Sequence, residues 1–212
     1  MLDVNEIHFL LASVKIKQSK SGIFSLLNKY RGNEFDILEN DELYQELAVP
    51  SRFDNAAVVF VKSLLQHKLD ERLSNLITNS LFKEFITISE EAFSKELYMN
   101  MEQIKLIKKY GMYFGIHGYD HYWLGKMDKE KMQIDITKAL DVFDRIIDRN
   151  NWIMCYPYGS YNAETKTFLK KSGCFFGFTT KVAIAKLPTD EWLELPRFDT
   201  NDFPPKSENY KL

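Results

Sequence analysis

The hydrophobic period of this 212-residue chain changes near Gly111, and that change limits the folds open to it. Before it, apolar residues return every three or four positions, as on the inner stripe of an amphipathic helix. Ile7, Leu10, Leu11 and Val14 form one stripe, Ile23, Leu26 and Leu27 a second beyond a Ser21-Gly22 break, and Val58, Val61, Leu64 and Leu65 a third. Pro50 and Ser51 interrupt the pattern ahead of Asp54, whose carboxylate is placed to cap the helix that follows. Segments 70–85 and 89–98 read as two more helices. A further one opens at Asn100-x-x-Gln103 and ends at Lys108-Lys109-Tyr110-Gly111, with the basic last turn and terminal glycine that helix ends favour. Beyond Gly111, short apolar runs at 112–116, 152–156, 174–180 and 192–197 read as strands. Between them, Asp128 caps an amphipathic helix that buries Met132, Ile136, Leu140, Phe143 and Ile147, with Lys129, Glu130, Lys131, Asp135 and Lys138 as its solvated face. A second helix covers 162–171. Four strands separated by helices imply an α/β fold with a mostly parallel sheet or barrel wall. The division expected is a helical region over 1–98 and an α/β core over 99–212, within one structural domain.

Composition narrows the function classes. At 45% hydrophobic and 14% aromatic, the chain can bury a full core. A net charge of -2 offers no basic footprint for nucleic acid, and no apolar run approaches the roughly 18 residues of a membrane span. The first residues, Met1-Leu2-Asp3-Val4-Asn5-Glu6, lack the basic and long apolar regions of a signal peptide, so a cytoplasmic location is expected. Cys155 and Cys174 lie in strand-like apolar surroundings and read as reduced thiols.

The chemistry concentrates where the first of the four strands ends. Gly115-Ile116-His117-Gly118-Tyr119-Asp120-His121-Tyr122-Trp123 sends two histidines off one strand end. Imidazole is the commonest protein metal ligand, and two so close in sequence can converge on one Zn²⁺-like ion. Alone, His-x-x-x-His also describes ordinary polar surface; a strand's C-terminal end is where α/β barrels put their chemistry. His8 and His67 have no companion ligand in their helices and read as structural. After the next strand, Tyr156-Pro157-Tyr158-Gly159-Ser160-Tyr161 turns the backbone sharply, which can aim the Tyr158 N–H at the same face as an oxyanion donor.

His-x-x-x-His at one strand end, followed by Pro-Tyr-Gly at the next, resembles the metal-dependent polysaccharide deacetylases, carbohydrate esterase family 4. The resemblance covers about 98–202. It implies His117 and His121 as metal ligands, Tyr158 N–H as the oxyanion donor, and a divalent metal, most often Zn²⁺. The substrate implied is an N-acetylated sugar or glycan, with Trp123, Tyr156 and Tyr161 flanking it as stacking surfaces. Leu195-Pro196-Arg197-Phe198-Asp199 looks like a later strand of the family's surface-glycan branch, where a polar pair, here Arg197 and Asp199, reaches the site. Arg197 then substitutes for the arginine that many members carry just before the proline. Gly118 stands where the family usually has Ser or Thr.

One departure is larger. The family's Thr-Phe-Asp-Asp-Gly motif, which supplies the general base and an acidic metal ligand, has no counterpart here; Arg52-Phe53-Asp54-Asn55 imitates it only on the surface, since a helix follows it. A closed parallel barrel needs about seven or eight strands and four are legible. The fold expected is therefore an incomplete or distorted (β/α) barrel of the polysaccharide deacetylase type with a helical N-terminal half, as if the reading frame began at an internal methionine. An exposed sheet edge would then favour oligomers. Three functions follow from these readings: a sugar N-deacetylase of surface-glycan biosynthesis, intact or truncated with impaired turnover, a glycan-binding pseudoenzyme, or a helical interaction protein whose histidine pair is incidental.

Overall fold

The computed structural model describes residues 1–51, 53–87 and 89–211; Arg52 of the Asp-Asp imitation lies outside them. The chain divides into two compact units, Met1–Asn100 and Met101–Leu212.

The first unit is helical. α1 (Asp3–Ser13), α2 (Ile16–Tyr30), α3 (Asn40–Leu47), α4 (Ala56–Ser63), α5 (Glu71–Phe85) and α6 (Glu90–Leu97) surround a core that includes Ile7, Ile23, Leu27, Phe60, Leu73, Ile77 and Leu81. α2 runs straight through Ser21-Gly22, where a break was expected. A mid-helix glycine costs only about 1 kcal/mol, which burying Ile23 and Leu27 on the same helix outweighs. The cap of α4 is also corrected by one residue. Asn55 accepts from the N–H groups of Ala57 and Val58, both at 3.1 Å, while Asp54 pairs with Lys62 at 2.6 Å. α4 runs on into a π-helical turn at Leu64–Lys68 that carries His67.

The second unit contains α7 (Met101–Lys109), α8 (Lys129–Val142), β1 (Trp152–Cys155), α9 (Ala163–Lys171) and β2 (Cys174–Phe178). β1 and β2 pair in parallel, with Met154 opposite Gly177 and a register irregularity between Trp152 and Ile153. Among the described residues, two of the four expected strands therefore form a sheet, and no barrel wall is seen. The outer two survive as single parallel bridges. Ile116 bridges Met154 and Leu195 bridges Phe178, so the spatial order is the segment at Ile116, β1, β2 and the segment at Leu195. Backbone bonds from Ile116 N to Ile153 O and from Leu195 N to Gly177 O, at 2.9 and 2.8 Å, hold those segments in place. α8 and α9 pack together, and Met132, Ile136, Ala139 and Leu140 of α8 join Trp152, Met154, Tyr156 and Leu169 in the core. Asp128 precedes α8 without a side-chain capping bond, contrary to its expected role as cap. Among the described residues, no helix is long and apolar enough to cross a membrane.

Candidate active site at the C-terminal edge of the sheet

Because the segments run parallel, residues 117–121, 156–159 and 196–197 all leave the same edge of the sheet. That edge is where open α/β sheets place ligands. The His117 and His121 rings lie with centroids 4.7 Å apart at 73°. His117 Nδ1 sits 2.5 Å from the Cys155 carbonyl oxygen. A carbonyl can only accept, so Nδ1 carries the proton and Nε2 is left with its lone pair. A backbone acceptor on the far nitrogen is the usual orienting partner of a metal-ligating histidine. His117 keeps an exposed edge, yet the protein packed around it lowers its pKa below 6.5; the charge of Arg197 acts in the same direction and the Cys155 carbonyl opposes them.

His121 and Tyr158 meet edge to face at 4.7 Å, and Tyr158 stacks on Trp123 at 4.6 Å and 8°. Lys126 places its ammonium 4.5 Å from the Trp123 ring. His121 at φ 61° and Tyr158 at φ 55° are the non-glycine residues with positive φ among those described. Each such conformation costs on the order of 1–3 kcal/mol, and such strain gathers at functional sites. Pro157 and Gly159 flank Tyr158 in a single 3-10 turn, as the Pro-Tyr-Gly spelling implied.

Arg197 is held by two backbone bonds, from its N to Lys181 O and from its Nε to Thr179 O, both at 3.0 Å. Burial pushes the Cys155 thiol's pKa up, against the pull of the Arg197 charge. Asp199 is engaged locally: its carboxylate accepts from Asn201 N at 2.8 Å and Asn201 Nδ2 at 2.7 Å, capping a short 3-10 turn. Tyr161 is half-buried, as Trp123 is. Tyr156 corrects its assignment as a sugar-stacking surface. It is fully buried, stacks on Tyr161 at 4.5 Å, and donates its hydroxyl to Leu193 O at 2.8 Å. Cys155 and Cys174 are free thiols.

Asp135, assigned to the solvated face of α8, is 3% exposed. Its Oδ2 accepts from Tyr119 N at 3.0 Å and its Oδ1 from Asp120 N at 2.9 Å, between the two histidines. A signal was present: 132, 135, 136 and 139 share one helical face, so a charge at 135 falls inside the apolar stripe.

The two imidazoles fit as part of a cation site, since ligands holding one ion at about 2.0–2.1 Å in tetrahedral geometry put ring centroids roughly 5 Å apart. Among the described residues, no group of three or more His, Cys, Asp or Glu is arranged to hold a metal ion.

A family described as polysaccharide deacetylase matches residues 77–176. The chain is 28% identical over 88 residues to "Putative polysaccharide deacetylase YxkH" of Bacillus subtilis (strain 168). That stretch is 42% of this chain and 32% of the relative, so the match spans about a third of the relative's length. The solved structure of Streptococcus pyogenes deacetylase PplD in complex with acetate aligns with a TM-score of 0.48 at 18% identity, over 91% of this chain and 85% of that one. The resemblance read from the motifs is borne out over residues 77–176, just under half of the chain, where the family matches. It begins earlier than the motifs suggested, at Ile77 within α5, and ends at Phe176, short of Arg197 and Asp199.

Proposed function

We propose that this chain is built to act, with impaired turnover, on the N-acetyl amide of a sugar in surface-glycan metabolism through a divalent cation held by His117 and His121. The observation that carries the reading is the histidine pair itself: two rings 4.7 Å apart, one with its Nδ1 proton already committed to a backbone carbonyl. When bound, a Zn²⁺-like ion supplies Lewis acidity towards the amide carbonyl and acidifies water.

The remaining work falls to the chain. Cys155 O keeps His117 in the tautomer whose Nε2 can ligate. Tyr158, fixed in its left-handed turn, offers its N–H to the oxyanion that develops on the former carbonyl oxygen; one such donor is typically worth about 10²–10³ in turnover. Trp123 and Tyr161 border the approach, with the Trp123–Tyr158 stack as an apolar floor for a sugar face. Arg197 brings positive charge beside His117 and favours anionic species there. A carboxylate must still take the proton of the attacking water.

Calorimetric titration with Zn²⁺ tests the reading. We expect measurable but weak uptake by the wild type and at least a tenfold loss in both His117→Ala and His121→Ala, in line with the cost of disturbing a ligand shell. Equal uptake by all three proteins would rule out the assignment.

A further inference from the structure

The loop that carries both histidines is short, and α8 reaches its backbone with the Asp135 carboxylate. Asp135 lies in the helix's buried stripe beside Met132, Ile136 and Ala139, and its two oxygens each accept one of two successive loop N–H groups, Tyr119 and Asp120. A buried carboxylate is stable only when it is hydrogen-bonded, so these two bonds account for its presence in an apolar face. The loop is cut to receive it. Gly118 sits at φ +73°, in the left-handed region, and a Cβ there would come within 2.9 Å of Asp135 Oδ2. His121, the residue that directly follows the two clamped amides, holds its unusual φ of 61°.

We propose that Asp135 is the positioning residue of the histidine pair: its carboxylate fixes the loop backbone so that the His117 and His121 rings converge. This rests on the two-histidine cation site proposed above and adds the part of the chain that builds it. His117 is anchored from the β1 side through Cys155 O, and the loop between the histidines is anchored from the α8 side through Asp135. The glycine at 118 is then a requirement of the clamp, since the carboxylate occupies the space a side chain would take.

Asp135→Asn keeps the shape but turns an amide NH₂ towards one of the two loop donors. Gly118→Ala attacks the same contact from the loop side. Ala139→Gly, one turn along α8 and also buried, is the control that weakens the helix without touching the loop. Two readouts are taken on the 212-residue chain, with thermal melts alongside. The first, in metal-free protein, is the nuclear Overhauser contact between the His117 and His121 rings. The second is Zn²⁺ affinity by calorimetry. Asp135→Asn and Gly118→Ala are expected to lose the ring contact and to weaken Zn²⁺ binding about 10–100-fold, the range typical of lost orienting partners, with Ala139→Gly unchanged in both. An Asp135→Asn protein that keeps its ring contact and binds Zn²⁺ as the wild type does would overturn the proposal. So would an Ala139→Gly protein that loses as much. Should Asp135→Asn not fold, Gly118→Ala decides by the same criteria. A wild type that takes up no Zn²⁺ would sink the cation-site reading, while the metal-free ring contact would still judge Asp135.

Discussion

Tyr156 shows how one residue's role turns on where its ring points. Its hydroxyl donates to Leu193 O inside the core, so Tyr156→Phe leaves that carbonyl without its donor; a loss of about 1 kcal/mol in urea unfolding is expected, with Zn²⁺ uptake unaltered. His117 behaves differently because its environment favours the neutral ring. With its pKa below 6.5, it stays able to ligate as the solution is acidified past that value. In a His121→Ala protein, where His117 carries the residual uptake, the pH midpoint for Zn²⁺ loss is therefore expected below 6.5. In the helical unit, Glu6 is 1% exposed, and burial, with Glu90 and Asp3 nearby, raises its pKa from 4.5 to about 7. A raised carboxyl pKa means that the folded state binds the proton more tightly than the unfolded one. That contribution is fully present below about 4.5 and is lost as pH rises through about 7. Glu6→Gln is thus expected to be more stable than the wild type at pH 8, on the order of 2 kcal/mol in denaturant unfolding, with the gain vanishing below pH 5.

Among the elements, the sheet is full where both neighbours are strands and reduced to bridges at its rims. Gly177 shows what keeps the Leu195 side paired. A Cβ at that position would lie 2.5 Å from Leu193 O and 2.6 Å from the Tyr156 hydroxyl, so the glycine lets the 193–195 segment approach β2 and lets Tyr156 reach its acceptor. Gly177→Val should force these apart at a cost of about 2–3 kcal/mol, and the Leu195 and Thr179 amides, which pair across this seam, should lose their hydrogen-exchange protection. Retained protection would mean that the rim is held by something other than this close approach.

For the molecule as a whole, the proposed chemistry asks for more donors than the histidine pair provides. We expect the 212-residue chain, supplied with Zn²⁺ and N-acetylated sugars, to release little acetate, because a carboxylate beside the histidines is needed and no three-member donor group is placed among the described residues. Robust release abolished by His121→Ala would show that such a carboxylate does enter the site. Uptake of metal and glycan without release would mark a binding protein instead.

Much of this was legible from local pattern. Helical spacing before Gly111, alternation after it, and the Pro-Tyr-Gly turn at Tyr158 are properties of neighbouring residues, and the backbone obeys them wherever the chain goes. The family resemblance came through for the same reason, since paired motifs in a fixed order survive without knowledge of contacts. What could not be read was set by partners distant in the chain. Whether 112–116 and 192–197 pair along their length depends on their neighbours across the sheet, and both were left with one bridge. Whether an aromatic after a strand faces a substrate or the core depends on what lies opposite, and Leu193 O drew Tyr156 inward. Asp135 passed for a surface charge because a carboxylate in an apolar stripe makes sense only once two N–H groups, fifteen and sixteen residues away, are seen to meet it. Periodicity is local, whereas the cost of burying a polar atom is repaid only by the residue that packs against it.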